Sequence, residues 1–554
     1  MTSTYDKWRT HDYPVPPTMR AWPLTGAGFD SLGTNGRPVE VPVPKPGPGE
    51  ILLRVDAVGI CFSDAKLIRA GADHPRLKGR DLQANPTRPG HEVSLTVAAA
   101  GADLTDQYSR GDRLTVQADV YYQGKNLAFG YWIPGGYSEY VLVGKEILEG
   151  DEGNYLIPIP PDMGYAEIAL CEPWACVEAS ARQAAREGPL SGGRALIVRA
   201  EQGDWSLQSV FPPDLDLTHL DAPGGRVPNS LSRLAEFDDI VILGTPQPAL
   251  VEQCLGRLSA GGLLCLAAER PLSGPVAVDV GRLHYQRVRV LGTTSREVAS
   301  AYRDNNRTEL KPGGLAWFIG AAGPMGQMHV QRALQLEHPP RKIIASDVSA
   351  DRMAYALARW KPLVDRRRVE LITLDPGAYP NEADYLARIA EETDHQGYDD
   401  IIVLAPVPEL VVQAGAQAAE RCVVNIFAGI PVGSEAKLSL SDIYLRGVRY
   451  IGSSGSRVDD LKTVLDKAHT GRLDANRSLG VIGGLAQAHD AVTRVARGET
   501  PAKTVLFPGV PDFPLTVLDD LRAADSDAAD LLTEGSVWTR EAEDRFLAAH
   551  ISIP

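Results

Sequence analysis

A glycine-rich turn between an apolar segment and a helical one constrains the fold of this 554-residue chain more than any other feature. The turn spans residues 320–326, after apolar residues 316–319 and before an amphipathic stretch at about 327–336. Spaced glycines permit a tight turn, close approach of the backbone to a pyrophosphate, and packing of helix on strand. The helix start adds unpaired N–H groups that attract phosphates. We therefore predict a Rossmann-type doubly wound parallel sheet with these cofactor-binding residues: Gly320, Gly323, Pro324, Met325 and Gly326.

An acidic residue follows at the end of the next apolar segment, as a dinucleotide site requires. Asp347 is the last residue of the segment 342–347. A carboxylate there accepts hydrogen bonds from the ribose hydroxyls and repels a 2′-phosphate. Arg352 lies close enough along the chain to weaken that repulsion. The pattern favours NAD(H) over NADP(H).

Two segments of the chain follow one plan of alternating strands and helices, which predicts a duplicated α/β unit. The matching stretches are 215–221 with 369–375, 237–243 with 398–404, and 288–292 with 448–452. The earlier segment, here called copy one, leaves too few residues between 198 and 215 for the helix, strand and helix that the later segment, copy two, holds between 319 and 369. Copy one also lacks the spaced glycines. We expect it to bind no dinucleotide, lacking both the loop and the strand that ends in a ribose-binding acid.

The remaining sequence predicts a β-rich region and a helical end. Short apolar strands and turns fill residues 18–150, and a helical pattern covers 164–187. We predict four parts: a β-rich catalytic domain at 1–188 completed by 479–508, copy one at 189–311, copy two at 312–478, and a helical C-terminal extension at 509–554.

Four residues of the first part are candidate metal ligands. Cys61 follows one predicted strand, His91 and Glu92 precede another, and Glu172 begins the helical stretch. Taken one at a time, each residue also has an ordinary structural explanation, as a buried thiol, a core histidine or a helix-capping carboxylate. Together, upstream of a dinucleotide loop, they match the Cys, His and carboxylate set that holds catalytic zinc. Ser63 is placed to pass a proton from a substrate hydroxyl to solvent, or it satisfies a turn.

Composition excludes several classes of function. A net charge of −15 argues against nucleic acid and anionic membrane surfaces as partners. Six cysteines are too few and too irregular for a disulfide framework, and no apolar stretch is long enough to span a membrane. Charged residues throughout 1–13 do not predict a signal peptide. We expect a cytoplasmic protein.

Several short motifs together resemble the zinc-containing medium-chain dehydrogenases, in particular the branch of sorbitol dehydrogenase and L-sorbose 1-phosphate reductase. The resemblance covers about 40–188 and 312–508. The motifs are Gly59-Ile60-Cys61-x-Ser63-Asp64, Gly90-His91-Glu92, Gly111-Asp112-Arg113, Gly135-Gly136-Tyr137-Ser138-Glu139-Tyr140 and Glu172-Pro173, together with Gly71-Ala72-Asp73-His74-x-Arg76 and the stretch 398–456.

The resemblance implies a GroES-like catalytic domain closing on a Rossmann domain, with the site between them. It implies that Cys61, His91 and Glu92 hold the metal, with Glu172 as a further or alternating ligand. It also places the nicotinamide carboxamide near the segments that hold these residues: Phe427, Ala428 and Ser453.

Four features depart from the family pattern. Leu95 stands where the family has a glycine after the His-Glu pair. Residues 113–150 contain no cysteine, so we expect one catalytic zinc and no structural zinc. The glycine loop is one residue longer than the polyol branch usually shows, and copy one lies outside the ordinary family plan.

The sequence therefore predicts an oxidoreductase that interconverts a secondary alcohol and a ketone with NAD(H). A polyol, sugar alcohol or sugar phosphate is the expected substrate, and the basic residues Arg76, Lys78 and Arg80 either meet a phosphate or form a solvated loop. The alternative is a catalytically silent NAD-binding sensor or scaffold that keeps the fold. Copy one is interpreted as a structural partner of copy two, which leaves open a homodimer or a monomer with an internal pseudo-dimer.

Overall fold

The structure is a computed structural model that describes residues 3–207, 211–303 and 307–553. It divides into two compact units. Unit 1 comprises Met1–Glu178, Ala354–Pro362 and Gly455–Pro554, and unit 2 comprises Ala179–Met353 and Leu363–Ser454. Among the helices of these described ranges, none combines the length and the apolar character needed to cross a membrane.

Strands and α-helices are numbered along the whole chain. The strands are β1 (Thr18–Ala21), β2 (Val39–Pro42), β3 (Ile51–Ile60), β4 (Glu92–Ala100), β5 (Arg113–Val116), β6 (Tyr121–Tyr122), β7 (Lys125–Asn126), β8 (Tyr140–Val143), β9 (Leu156–Pro158), β10 (Arg194–Arg199), β11 (Asp216–Asp221), β12 (Phe237–Leu243), β13 (Leu258–Ala267), β14 (Val276–Asp279), β15 (Arg289–Thr293), β16 (Leu315–Ile319), β17 (Lys342–Ser346), β18 (Glu370–Leu374), β19 (Tyr398–Val403), β20 (Ala418–Ile426), β21 (Glu435–Leu438), β22 (Arg449–Gly452), β23 (Leu479–Gly484), β24 (Lys503–Phe507) and β25 (Thr516–Val517). The helices are α1 (Thr4–Arg9), α2 (Phe62–Ala70), α3 (Lys145–Leu148), α4 (Tyr165–Ser180), α5 (Pro248–Leu255), α6 (Val280–Tyr285), α7 (Ala299–Arg303), α8 (Pro324–Gln335), α9 (Ala350–Arg367), α10 (Glu382–Glu391), α11 (Pro408–Ala416), α12 (Ser441–Leu445), α13 (Val458–His469), α14 (Ala488–Arg497), α15 (Leu521–Ala524), α16 (Ser526–Ala529) and α17 (Arg540–His550).

Unit 1 is built on an eight-stranded, largely antiparallel sheet. Its order is β25-β23-β24-β3-β4-β5-β9, with β8 also paired to β3. Every residue of β3 is buried, which explains its nearly continuous apolar sequence. Strand β24 arrives from far along the chain and pairs antiparallel with the end of β3, Thr504 opposite Ile60. The C-terminal stretch therefore supplies strands to the same sheet as the N-terminal one.

Unit 2 contains two parallel sheets, one from each copy. Copy two has six strands in the order β18-β17-β16-β19-β20-β22. Copy one has five in the order β11-β10-β12-β13-β15. The predicted α/β class, with a β-rich GroES-like domain, a Rossmann sheet and a second degenerate copy, is confirmed.

An arginine–aspartate pair occurs at equivalent positions in both copies, as expected for a duplicated unit. Arg186 binds Asp239 at 3.1 Å and the carbonyl of Asp238, just before the first strand of copy one. Arg307 binds Asp400 at 2.5 Å and the carbonyl of Asp399 in copy two. The same aspartates accept N–H bonds at equivalent places, from Leu190 and from Lys311, both at 2.8 Å.

The two copies share one hydrophobic core. Buried side chains from both, including Leu264 and Val424 of the central strands, belong to a single packed cluster. Strand β14 of copy one pairs antiparallel with β21 of copy two, Val276 opposite Leu438. The interpretation of copy one as a packing partner of copy two matches this arrangement.

The shortened segment of copy one changes the order of its strands. By sequence, β11 corresponds to β18, the third strand of copy two. In space it pairs directly with β10, the place that β17 holds beside β16. The predicted absence of an acid in that place therefore needs correction, because Asp221 at the end of β11 falls where Asp347 falls in copy two. Asp221 is exposed whereas Asp347 is buried.

Candidate metal centre and cofactor loop

Three of the predicted ligands converge in unit 1. One ligand atom from each of Cys61, His91 and Glu92 lies within 4.8 Å of the others. The β3–β4 ladder produces this convergence, because Gly59 lies opposite Glu92 and Cys61 immediately follows β3. Cys61 then caps the N-terminus of α2 in an extended conformation.

A buried lysine holds the carboxylate of Glu92, and sequence reasoning missed it. Lys503 Nζ lies 2.5 Å from Glu92 Oε1 and 3.2 Å from the carbonyl of Ile60. Burial alone would lower the pKa of Lys503, but the charges of Glu92 and Cys61 raise it above its ordinary value. A Cβ on Gly59 would lie 2.1 Å from Glu92 Oε2, so only glycine leaves room for that carboxylate.

Asp64 is a second residue that the sequence analysis did not select, although it stands in the Gly-Ile-Cys-x-Ser-Asp motif. Its carboxylate accepts N–H bonds from Cys61 at 2.9 Å and Gly90 at 3.2 Å, and lies 3.2 Å from His91 Nδ1. Burial acts to raise the pKa of Asp64, but His91 and these bonds hold it below its ordinary value. A carboxylate beside the far nitrogen of a histidine orients the ring of a metal ligand. The spacing Cys-x-x-Asp of a capping box was the signal available.

Ser63 lies against the cluster. Its hydroxyl donates to Cys61 Sγ at 3.0 Å and lies 3.3 Å from His91 Nε2. The ring of Tyr131 covers this side, with its centroid 5.8 Å from that of His91. The position predicted for a proton-transferring hydroxyl is therefore beside the candidate ligands.

Glu172 is buried nearby but is not among the three convergent ligand atoms. Burial raises its pKa to about 7, and the charges of Glu92 and Asp119 act in the same direction. Its helix, α4, is capped from the C-terminal extension: Glu543 accepts N–H bonds from Tyr165 at 2.5 Å and Ala166 at 2.8 Å. A carboxylate at a helix N-terminus stabilises it, so the extension steadies the helix that carries Glu172.

The donor set fits zinc. A thiol, an imidazole and a carboxylate are the ligands that catalytic zinc takes, with one position left for substrate. Within the described ranges, Glu92 Oε2 is buried and has no hydrogen-bond partner. An unsatisfied buried oxygen beside a thiol is costly unless a cation meets it.

The basic residues predicted to meet a phosphate are engaged otherwise. Arg80 donates to the carbonyls of Asn85 at 2.9 Å and Pro86 at 3.0 Å. Arg76 forms an ion pair with Asp119 at 2.6 Å and lies over the ring of Tyr131. Through these contacts, both side chains connect neighbouring loop segments.

The glycine loop of copy two has the geometry that its sequence predicts. Gly320 has φ +83°, a conformation that favours glycine. Gly323 is the N-cap of α8 and Pro324 its first residue. A Cβ on Gly326 would lie 2.3 Å from the carbonyl oxygen of Gly320, so strand and helix approach closely only because this residue is glycine.

Asp347 is fixed beside that loop. Its carboxylate accepts N–H bonds from Ala322 at 3.0 Å and from Ser349 at 2.9 Å. Arg352 lies 3.6 Å from the same carboxylate. Asp347 and Arg352 therefore lie next to each other beside the glycine loop, and their role in cofactor binding stays a prediction.

The residues expected near the nicotinamide lie at the carboxyl ends of strands in copy two. Phe427 and Ala428 follow β20, and both donate their N–H groups to the carbonyl of Val403. Ser453 follows β22, and its buried hydroxyl has no hydrogen-bond partner among the residues that the structure describes. Carboxyl ends of parallel strands are where such sheets bind ligands.

Known proteins resemble parts or most of this chain. The family of the alcohol dehydrogenase GroES-like domain matches residues 47–149. Mannitol-1-phosphate 5-dehydrogenase of Aliivibrio fischeri is 27% identical over 43% of the chain, and L-sorbose 1-phosphate reductase of Klebsiella pneumoniae is 26% identical over 44%. The chain spans 57% of the length of each of these two relatives.

Two further comparisons extend over most of the chain. The uncharacterized protein YggP of Escherichia coli is 27% identical over 90% of this chain and 91% of its own length. The crystal structure of 2R,3R-butanediol dehydrogenase from Bacillus subtilis aligns with a TM-score of 0.54 at 18% identity, over 88% of this chain and 99% of that one. The structural likeness establishes the fold.

Proposed function

We propose that this chain, a member of the zinc-type medium-chain dehydrogenase superfamily, interconverts a secondary alcohol and a ketone with NAD(H). We place it in the sorbitol dehydrogenase and sorbose-phosphate reductase-like branch as part of this proposal. The convergence of Cys61, His91 and Glu92 beside the hydroxyl of Ser63 carries the proposal. A silent protein would have no physical reason to keep an unsatisfied buried carboxylate oxygen next to a thiol and an imidazole.

Cys61, His91 and Glu92 would hold one zinc ion. When bound, zinc supplies a Lewis acid that polarises the substrate oxygen and lowers the pKa of an alcohol. Lys503 holds the carboxylate of Glu92 in place, and Asp64 orients the His91 ring. Glu172, buried and with its pKa raised to about 7, is proposed as the further or alternating ligand.

Ser63 is proposed to move the proton. Its hydroxyl is within hydrogen-bond distance of the cluster. On oxidation it can accept the proton of the substrate hydroxyl while it releases its own proton to solvent, and on reduction the same transfer runs in reverse. The nicotinamide, when bound, accepts or donates the hydride. Phe427, Ala428 and Ser453 are proposed to orient it.

NAD(H) is the proposed cofactor. The buried carboxylate of Asp347, held by the N–H of Ala322, supports this choice because it would repel a 2′-phosphate. Arg352 at 3.6 Å reduces that repulsion, so we expect a preference rather than exclusion of NADP(H).

A polyol, sugar alcohol or sugar phosphate is the proposed substrate class, in keeping with the sugar-phosphate and sorbitol enzymes among the relatives. We further propose a cytoplasmic enzyme whose copy one acts as an internal packing partner, giving one NAD(H) site per chain. The four-part division of the chain stays a prediction, as does the choice between monomer and homodimer.

Metal content and turnover test the proposal together. Zinc is measured by mass spectrometry on the purified chain, and NADH formation is followed with a panel of hexitols and hexitol phosphates. We expect about one zinc per chain and NADH formed with at least one panel member. The Cys61→Ala variant should lose zinc and turnover, whereas Cys254→Ala, which removes a buried thiol of copy one, should keep both.

Two other outcomes would contradict the proposal. A folded Cys61→Ala variant with full turnover would exclude the zinc mechanism. A wild-type chain that binds NADH, holds no metal and turns over no panel member would favour the sensor or scaffold alternative.

A further inference from the structure

A cavity lies within unit 2, where the two copies meet. It encloses about 630 Å³, which falls within the range of small-molecule sites. The carboxyl end of β15 in copy one forms one wall, and the start of β20 and β22 with α12 of copy two form the other. Five arginines and one glutamate, Glu420, line it, the arginines being Arg303, Arg307, Arg421, Arg446 and Arg449.

The wall from copy one is equivalent to a cofactor-binding segment. Gly292, Thr293 and Thr294 correspond in sequence to residues 452–454 of copy two, which follow its last strand. They line the cavity with Ser300, whose hydroxyl lies 2.7 Å from that of Thr293. Carboxyl ends of parallel strands are the usual ligand edge of an open α/β sheet. Copy one therefore keeps an edge of this kind although it has lost its glycine loop.

The five arginines differ in their exposure. Arg307 is bound to Asp400 at 2.5 Å, and buried Arg449 donates to the carbonyl of Arg307, so both belong to the framework. Arg303, Arg421 and Arg446 are exposed.

All three exposed arginines make contacts within the protein. Those of Arg303 and Arg446 include a nearby carboxylate, and Arg446 also donates to the carbonyl of Ala418. Arg303 lies 3.6 Å from Glu297, and Arg446 lies 3.3 Å from Asp442. Exposed pairs of this kind contribute only ~0–1 kcal/mol, so a doubly charged phosphate can compete for the guanidinium groups.

Several arginine side chains lie close together around the cavity. The pKa of Arg449 is lowered to about 10, first by burial and then by the charges of Arg307 and Arg421. Like charges held together in a partly buried space attract an anion that relieves their repulsion.

At the pseudo-equivalent position on the other side of unit 2, side chains form hydrogen bonds with the backbone. There Arg289, the counterpart of Arg449, donates to the carbonyl of Gly452 at 2.6 Å and to the side-chain oxygen of Gln183 at 3.4 Å. Asn425 donates to the carbonyl of Ser180 in the same region.

We propose that the cavity where the two copies meet binds the phosphoryl group of a phosphorylated small molecule. Guanidinium groups are suited to bidentate phosphate contacts, and the hydroxyls and bare glycine backbone add donors. The site is distinct from the glycine loop, because Glu420, Arg421 and Arg449 lie at the amino ends of the copy-two strands whose carboxyl ends face that loop. It does not depend on the dehydrogenase activity.

Calorimetric titration of the full chain, with NADH present to occupy the glycine loop, tests the site. The probes are inorganic phosphate, sorbitol 6-phosphate and AMP, each organic probe paired with sorbitol or adenosine. We expect the phosphorylated probes to bind. The probe with the highest affinity should show which kind of molecule carries the phosphoryl group. The double variant Arg303→Ser/Arg421→Asn should weaken that binding about tenfold or more. Asparagine is chosen because Arg421 has φ +59°.

Two further variants keep the test decisive. Arg296→Ser removes an exposed arginine of copy one that pairs with Glu269 outside the cavity, and should leave affinity within about twofold. Thr294→Asp places a carboxylate at the cavity wall and should abolish binding even if the double variant unfolds. The proposal is overturned if none of the three phosphorylated probes binds, if sorbitol or adenosine binds as tightly as its phosphate, or if Arg296→Ser weakens binding as much as the cavity variants.

Discussion

The two copies of unit 2 share their framework and differ in their binding parts. Both keep an arginine–aspartate pair ahead of the first strand, Arg186 with Asp239 and Arg307 with Asp400. Both contribute to one hydrophobic core. Copy two alone has the spaced-glycine loop. The comparison shows that packing and cofactor binding rest on separable sets of residues, so a copy can lose one and keep the other.

The loss also rearranged copy one locally. Removal of a helix, a strand and a second helix brought β11 beside β10. A strand edge left open by a missing neighbour exposes unpaired N–H and carbonyl groups, and the next strand along the chain satisfies them. Asp221 thereby reached the place of Asp347 but stayed exposed, because no glycine loop folds over it.

The largest expected effect concerns the glycine loop. In Gly326→Ala the new Cβ would meet the carbonyl oxygen of Gly320 at 2.3 Å, so the loop must shift away from the phosphates. We expect NADH affinity to fall about 100-fold or more, measured by fluorescence titration. Gly274→Ala in copy one has no heavy atom within 4 Å of its new Cβ and is the matched control. Equal affinity of both variants would contradict the assignment of the loop.

A core substitution should reveal whether the copies unfold together. Leu438 is buried opposite Val276 of copy one, so Leu438→Ala should cost about 2–4 kcal/mol of unfolding free energy. Because the core is shared, hydrogen exchange should report the same loss in β12 of copy one as in β19 of copy two. Leu217→Ala, at an exposed position, is the control. Loss confined to β19 would show two independent folding units.

The smallest expected effect concerns cofactor choice. Asp347→Ser removes the carboxylate that would meet the ribose hydroxyls, while Arg352 remains nearby. The ratio of kcat/KM for NAD to that for NADP should fall about tenfold. Asp221→Ser, at the equivalent place in copy one, should leave the ratio unchanged. A change with Asp221→Ser would mean that copy one takes part in cofactor binding.

The candidate metal ligands could be selected from sequence because each sits at the end of a strand or helix with a local signal. Asp64 also had one, its spacing from Cys61. Its hydrogen bonds to two backbone N–H groups and its ion pair with His91 were visible only in the folded chain. Lys503 had no local signal. It meets Glu92 because β24 pairs with β3 across most of the length of the chain.

The C-terminal extension was predicted only as helical. The structure has helices there, but also β25, which joins the sheet of unit 1. Glu543 on α17 is buried and caps α4, a role that the acidic composition of the segment did not distinguish from a solvated face.

The sequence alone determined the order of strands and helices, the glycine loop with Asp347, the repeat, and the identity of the candidate metal ligands. These depend on short-range patterns, since apolar periodicity and glycine spacing act within a few turns of chain. Only the tertiary structure decided that Lys503 holds Glu92, that β11 takes the place of a lost strand, and that arginines of both copies line one cavity. Those contacts depend on strand register and on packing between residues far apart along the chain, which no local pattern encodes.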